Sequence, residues 1–148
     1  MRELTKYKIA MESWITDQKP SHWVTFNFNR AETKDGSIKR LKEFNARLDR
    51  KLFGRNWAKK EDRPVWIWFM EHENSNLHWH SYVKLDWEHW DTFETHAEDI
   101  WTKIVEPGSL HIALYEQRLF DKARGYATKE WTDMSRTQDF VLSSEFKT

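Results

Sequence analysis

The sequence predicts an α+β domain, in which an antiparallel sheet of about five strands is flanked by helices in a ferredoxin-like arrangement. Two observations predict this fold. First, short runs that alternate between apolar and polar residues are interleaved with longer runs whose apolar residues recur at helical spacing. Second, these runs follow in the order strand, helix, strand, strand, helix, strand, helix. With 148 residues the chain has the length of one domain, which we place at 1–148.

The predicted strands are β-prone runs bounded by turn residues. The first has one apolar and one polar face, because apolar and polar residues alternate along it. The second and third are separated by the polar turn Asn74-Ser75-Asn76 and are expected to form a hairpin. The predicted strands are 22–29, 65–71, 77–85 and 109–115, with 140–146 as an added edge strand.

Helical spacing of apolar residues predicts the remaining elements. Asp35 or Ser37 is the expected N-cap of the first helix after the first strand, and Pro107-Gly108 ends the next one. The predicted helices are 1–21, 38–52, 87–104 and 117–131.

The composition limits the chemistry. The chain has no cysteine, which excludes disulfides, thiolate zinc sites and a cysteine nucleophile, so any metal must be held by histidines and carboxylates. No apolar run reaches the length of a membrane span, and the N-terminal residues lack a signal-peptide hydrophobic region. We therefore expect a soluble intracellular protein without membrane contact, cytoplasmic or, in a eukaryotic host, nuclear.

Charge is balanced overall but unevenly distributed. The net charge of zero argues against a general nucleic-acid coat that neutralises many phosphates. Residues 34–63 contain eleven Lys or Arg against five Asp or Glu, whereas residues 86–106 contain seven acidic residues against one Lys. The basic helix is a candidate for holding a phosphate backbone, but two solvated helix faces of opposite charge explain the distribution equally well.

Two histidines in the third predicted strand form a candidate metal site. His78 and His80 are two residues apart, so their imidazoles share one face of the strand. A carboxylate is the expected third ligand, and Glu71 at the end of the preceding strand can lie opposite the histidines. Glu73 has the same parity but is closer to the turn, so Glu71 is favoured. The alternative is that two exposed strand histidines occur together by chance.

The last predicted helix carries a candidate nucleophile. Tyr126 and Lys129 are three residues apart and share a helix face. An ammonium near a phenol favours the phenolate, which is the nucleophilic form of tyrosine. The alternative is a tyrosine packed on the sheet with Lys129 in solvent.

The segments HWVTFNFN, LHWHSYV and YATK, in this order, resemble the rolling-circle replication initiator branch of the HUH endonuclease superfamily. The resemblance covers residues 22–131 and implies the HUH nuclease fold. It implies that His78, His80 and Glu71 bind Mn²⁺ or Mg²⁺, that Tyr126 is the catalytic tyrosine and that Lys129 assists it.

The resemblance also implies a substrate. Such a protein nicks and rejoins single-stranded DNA, at an origin or a hairpin, through a 5′-phosphotyrosine, and so starts replication of a plasmid or virus. Residues of the first of these segments, HWVTFNFN, would contact this DNA, and basic residues near Tyr126 would hold the DNA backbone. The candidate DNA-binding residues are Thr25, Asn27, Asn29, Lys122 and Arg124.

The chain departs from the family pattern in ways that leave alternatives open. It has no glycine-rich phosphate loop, so no helicase domain is expected, and no second tyrosine adjoins Tyr126. A single-tyrosine HUH transposase, a non-enzymatic single-stranded nucleic-acid-binding module and a zinc hydrolase using activated water are the alternatives. Tyr82, which shares the parity of His80, is the rival nucleophile, and a homo-oligomer stays open.

Overall fold

The computed structural model describes residues 3–71, 76–115 and 139–146. Three helices and five strands make up this part of the chain, with short 3-10 turns at Gly54–Lys59, Trp87–His89 and Ser143–Phe146. The elements are α1 (Glu3–Asp17), β1 (His22–Asn27), α2 (Lys34–Phe53), β2 (Val65–Glu71), β3 (His78–Lys84), α3 (Trp90–Ile104), β4 (Ser109–Leu114) and β5 (Phe140–Leu142). Within these ranges, no helix is both long and apolar enough to cross a membrane.

The strands form one antiparallel sheet in the order β4-β1-β3-β2-β5. From β1 to β4 the elements follow in the order β-α-β-β-α-β, and β1 and β3 are the inner strands of these four. This arrangement is the ferredoxin-like topology. The predicted fold class is therefore confirmed. The predicted edge strand is also present, but it covers only 140–142, and a 3-10 turn follows it.

One face of the sheet packs against α2 and α3 and forms the main core. The fully buried rings of Phe26, Trp79 and Trp101 lie in this core with Leu41 and Phe44 of α2. The Trp79 indole N–H donates to the hydroxyl of Ser37, 2.9 Å away, so this buried donor is satisfied. The alternation along β3 consequently directs its odd-numbered residues toward α2 and α3.

The opposite face of the sheet packs against α1. Ile15 of α1 lies in a second buried cluster with Ile67, Phe69 and Tyr82. The helix predicted within 1–21 is thus confirmed over Glu3–Asp17. Because His78 and His80 have the same parity as Tyr82, they also lie on this face of the sheet.

The predicted start of the helix after the first strand is wrong. Helix α2 begins at Lys34, and its N-cap is Thr33, whose hydroxyl accepts the Gly36 N–H at 3.0 Å. Asp35 and Ser37 therefore lie inside the first turn, and neither is the cap. The segment Lys-Asp-Gly-Ser was interpreted as a turn because glycine is a poor helix former. The N-cap at Thr33 and the burial of Ser37 favour a helix instead.

Strand β1 ends at Asn27, two residues before the predicted end. Asn29 adopts a left-handed conformation, with φ of 55°, which asparagine tolerates better than most residues. Its side-chain amide donates to the Pro107 carbonyl at 2.9 Å and to the Ser109 hydroxyl at 3.2 Å. The chain therefore leaves the sheet here while Phe28 stays buried. The predicted helix 117–131 lies outside the described residues.

Candidate metal centre

The β2–β3 hairpin brings Glu71, His78 and His80 together. The register places Glu71 directly opposite His78, and His80 follows two residues later on the same face. Oε2 of Glu71 lies 3.0 Å from Nε2 of His78 and also contacts Nε2 of His80. One ligand atom from each residue lies within 4.8 Å of the others, so the predicted side-by-side arrangement of the three side chains is present.

Both imidazoles are oriented through their second ring nitrogen. Nδ1 of His78 lies 3.0 Å from the carbonyl oxygen of Asn76, and Nδ1 of His80 lies 3.1 Å from the hydroxyl of Thr25. Because a carbonyl can only accept, Nδ1 of His78 carries a proton. Its Nε2 is then the ring nitrogen whose lone pair can bind a cation.

The cluster is largely shielded from water. Glu71 retains 3% of its surface, and the side chain of His78, at 12%, is the most exposed of the three. A buried carboxylate is costly unless positive charge compensates it. A bound cation can provide that charge.

The donor set fits a divalent metal ion. Two imidazole nitrogens and one carboxylate oxygen are typical ligands of divalent transition metals, and histidine ligands in such sites usually donate their other N–H to an oxygen. Thr25 and Asn76 supply those oxygens here. The buried group formed by Glu71, His78 and His80 can therefore hold a metal ion.

The residues predicted to contact DNA have distinct surroundings. Thr25 lies opposite His80 on the adjacent strand, where its hydroxyl orients the imidazole. Asn27 lies opposite His78, and its backbone carbonyl accepts the Trp101 indole N–H at 3.0 Å. The amide of Asn29 joins the end of β1 to the start of β4. DNA contact by these three residues stays a prediction. The contact of Thr25 with His80 was missed because alternation does not show which residues of neighbouring strands lie opposite each other.

Several predicted site residues lie outside the described residues. They are Tyr126, Lys129, Lys122, Arg124 and the rival ligand Glu73. The rival nucleophile Tyr82 is described: it is 3% exposed and packs with Ile15 and Phe69 beneath α1. Its burial makes it poorly accessible to a DNA phosphate.

The basic helix and the metal cluster lie on different faces of the sheet. Helix α2 packs on the face that carries Trp79, whereas His78 and His80 belong to the α1 face. Most basic side chains of α2, including Arg47 and Arg50, are exposed to solvent. The sheet thus separates them from a phosphate bound at the hairpin.

His22 is a further buried histidine, on the α3 side of the sheet. Its ring packs edge-on against Trp90 and Phe93, and Nε2 lies 3.3 Å from the Glu94 carboxylate. Burial lowers the pKa of His22 below its ordinary value, and the neighbouring Glu94 partly opposes that shift. His22 therefore belongs to the core rather than to the metal cluster.

Comparison of the chain with protein-family models, with curated protein sequences and with solved structures finds no match.

Proposed function

We propose that this protein is a metal-dependent endonuclease and strand transferase that acts on single-stranded DNA through a tyrosine nucleophile. The observation that carries the proposal is the convergence of Glu71, His78 and His80 on one face of the central hairpin. The ferredoxin-like topology, with the His-Trp-His segment in a central strand, supports it as well.

The proposed reaction is a reversible transesterification. The Tyr126 oxygen attacks the scissile phosphorus and loses its proton, the bond from phosphorus to the 3′ oxygen breaks, and that oxygen leaves as a 3′-hydroxyl after taking up a proton. The 5′ phosphate stays on the tyrosine, so a 3′-hydroxyl can later attack it and rejoin the strand. We propose that Lys129, three residues after Tyr126 in the sequence, favours the phenolate.

The chain's contribution at the hairpin is to hold three ligands in place. Thr25 and Asn76 fix the rotation of the two imidazoles, and the buried Glu71 carboxylate favours a cation beside them. When bound, the ion supplies positive charge for the scissile phosphate. Two nitrogen ligands favour Mn²⁺ over Mg²⁺, which prefers oxygen ligands and water.

An unpaired strand is the proposed substrate. The cluster is recessed, so a phosphate must come close to the sheet surface. The paired strand of a duplex would obstruct this approach, whereas a single strand or a hairpin loop can bend into it. Initiation of rolling-circle replication of a plasmid or virus uses this chemistry, and a single-tyrosine transposase would use the same step.

The test is formation of a covalent adduct. The protein is incubated with Mn²⁺ and a pool of random-sequence single strands labelled at either end, and is then run on a denaturing gel. We expect a shifted protein band that carries the 3′-end label and not the 5′-end label. Tyr126→Phe should abolish the band, and Tyr82→Phe is the matched control that should retain it.

Other results would contradict the proposal. Cleavage without an adduct would indicate a hydrolase with an activated water, and binding without cleavage or metal dependence would indicate a nucleic-acid-binding module. Loss of the adduct in Tyr82→Phe alone would show that the nucleophile is assigned wrongly.

A further inference from the structure

A second group of potential metal ligands lies away from the hairpin cluster. One ligand atom from each of Asp62, Glu88 and His89 lies within 4.8 Å of the others. Asp62 is in the loop between α2 and β2, whereas Glu88 and His89 belong to the 3-10 turn that precedes α3. The group therefore bridges two segments that are distant in sequence.

His89 is positioned for ligation. Its ring packs edge-on against Phe53, with centroids 4.7 Å apart, and its side chain is 15% exposed. Nε2 is shielded from solvent and has no hydrogen-bond partner among the described residues, and Oε1 of Glu88 lies 3.6 Å away. A buried ring nitrogen that faces carboxylates without a hydrogen bond leaves its bonding capacity unused, which is costly unless a ligand occupies it.

We propose that Asp62, Glu88 and His89 form a second binding site for a divalent transition metal ion such as Zn²⁺. One imidazole nitrogen and two carboxylate oxygens are suitable ligands for this ion. Ligand atoms around tetrahedral Zn²⁺ are about 3.3 Å apart, given bonds of about 2.0 Å. Rotation of the exposed side chains of Asp62 and Glu88 can close the remaining gap.

The second site is separate from the hairpin cluster. His78 and Glu71 lie at one end of the β2–β3 hairpin, whereas the second group flanks the start of β2 and follows the end of β3. The length of β3 alone separates the two ends by about 20 Å. His89 also packs against Phe53 at the end of α2, in the helical layer on the other face of the sheet. An ion there would tie the 60–64 loop to the start of α3 and stabilise the fold.

Zinc binding by a variant that lacks the hairpin ligands tests the proposal independently of DNA cleavage. Tag-free protein carrying His78→Ala and His80→Ala is titrated with Zn²⁺ by calorimetry, and its thermal unfolding is followed with and without Zn²⁺. We expect one bound ion and a higher unfolding temperature with zinc. Adding His89→Gln or Asp62→Asn should weaken binding at least about tenfold, a change of about 1.4 kcal/mol.

Matched substitutions control for general effects on the surface. His96→Gln removes a partly exposed histidine in the adjoining helix α3, and Glu61→Gln removes an exposed carboxylate beside Asp62. Both substitutions should leave zinc affinity unchanged. Asp62 is exposed, so its substitution tests the site even where His89→Gln impairs folding. Absence of bound zinc in the hairpin variant, or affinity unaffected by both His89→Gln and Asp62→Asn, would overturn the proposal.

Discussion

Thr25 and His80 lie directly opposite each other on neighbouring strands, with the threonine hydroxyl 3.1 Å from Nδ1 of the imidazole. The contact fixes the rotation of the His80 ring while its Nε2 faces Glu71. A partner on the second ring nitrogen orients a metal-binding histidine and adjusts its basicity. Thr25 is therefore a positioning residue for the proposed metal centre.

Thr25→Val should weaken Mn²⁺ binding about 10- to 100-fold, because valine has the shape of threonine but no hydroxyl to hold His80. Thr25→Ser keeps a hydroxyl and should restore most of the affinity. Calorimetric titration of the metal-free variants measures the effect. Equal Mn²⁺ affinities for wild type and Thr25→Val would show that the contact has no role in metal binding.

Glu71→Gln should reduce Mn²⁺ affinity more than any neutral substitution at Glu73. The Glu71 carboxylate contacts both imidazoles, and an amide supplies less negative charge to a cation. Glu73→Gln serves as the matched control, because Glu73 has the same strand parity in the sequence. The assignment of the third ligand is wrong if Glu73→Gln proves the more damaging change.

The sequence was most informative where alternation was strict. Along β1, apolar residues at every second position predicted the strand, and the two-residue spacing in β3 predicted that His78 and His80 share a face. The proximity of Glu71 also followed, because a short turn between two strands limits their register. These inferences needed only local periodicity.

Contacts between distant segments could not be predicted in this way. Thr25 reaches His80 because β1 pairs with β3, and alternation identifies a polar face without identifying its neighbour. The approach of Asp62 to His89 depends on how the ends of α2 and β3 are arranged in three dimensions. The start of α2 was misplaced because a tertiary contact of Ser37 with Trp79 outweighs a local turn preference.

Stability should fall at acid pH because of His22. The pKa of His22 is lowered in the folded protein. Below about pH 6.5, His22 therefore binds a proton in the unfolded chain but stays neutral in the folded protein. Acid consequently favours unfolding. The resulting loss in the free energy of unfolding grows as the pH falls toward the lowered pKa and is constant at lower pH. His22→Asn should reduce the slope of unfolding free energy against pH by up to about 1.4 kcal/mol per unit in this window. Urea unfolding of metal-free protein measures the slope, with His96→Asn as control; an unchanged slope would contradict the prediction.

Gly108→Ala should destabilise the protein by about 1–3 kcal/mol through overpacking. A Cβ at this position would lie 2.8 Å from the Trp101 indole nitrogen and 2.9 Å from the backbone oxygens of Asn27 and Val105. It would also disturb the indole hydrogen bond to Asn27. Urea unfolding, with Glu106→Ala as an exposed control in the same turn, measures the loss. Equal stability of the two variants would show that the turn has more room than the structure indicates.

A metal ion held by the hairpin histidines is central to the proposed function. Pulsed electron paramagnetic resonance of bound Mn²⁺ tests this most directly, in a His89→Gln background that removes the histidine of the second site. We predict nitrogen modulation from two imidazoles, lost when His78 and His80 are both changed to Gln. Bound Mn²⁺ without nitrogen ligands, or no bound Mn²⁺, would contradict the account.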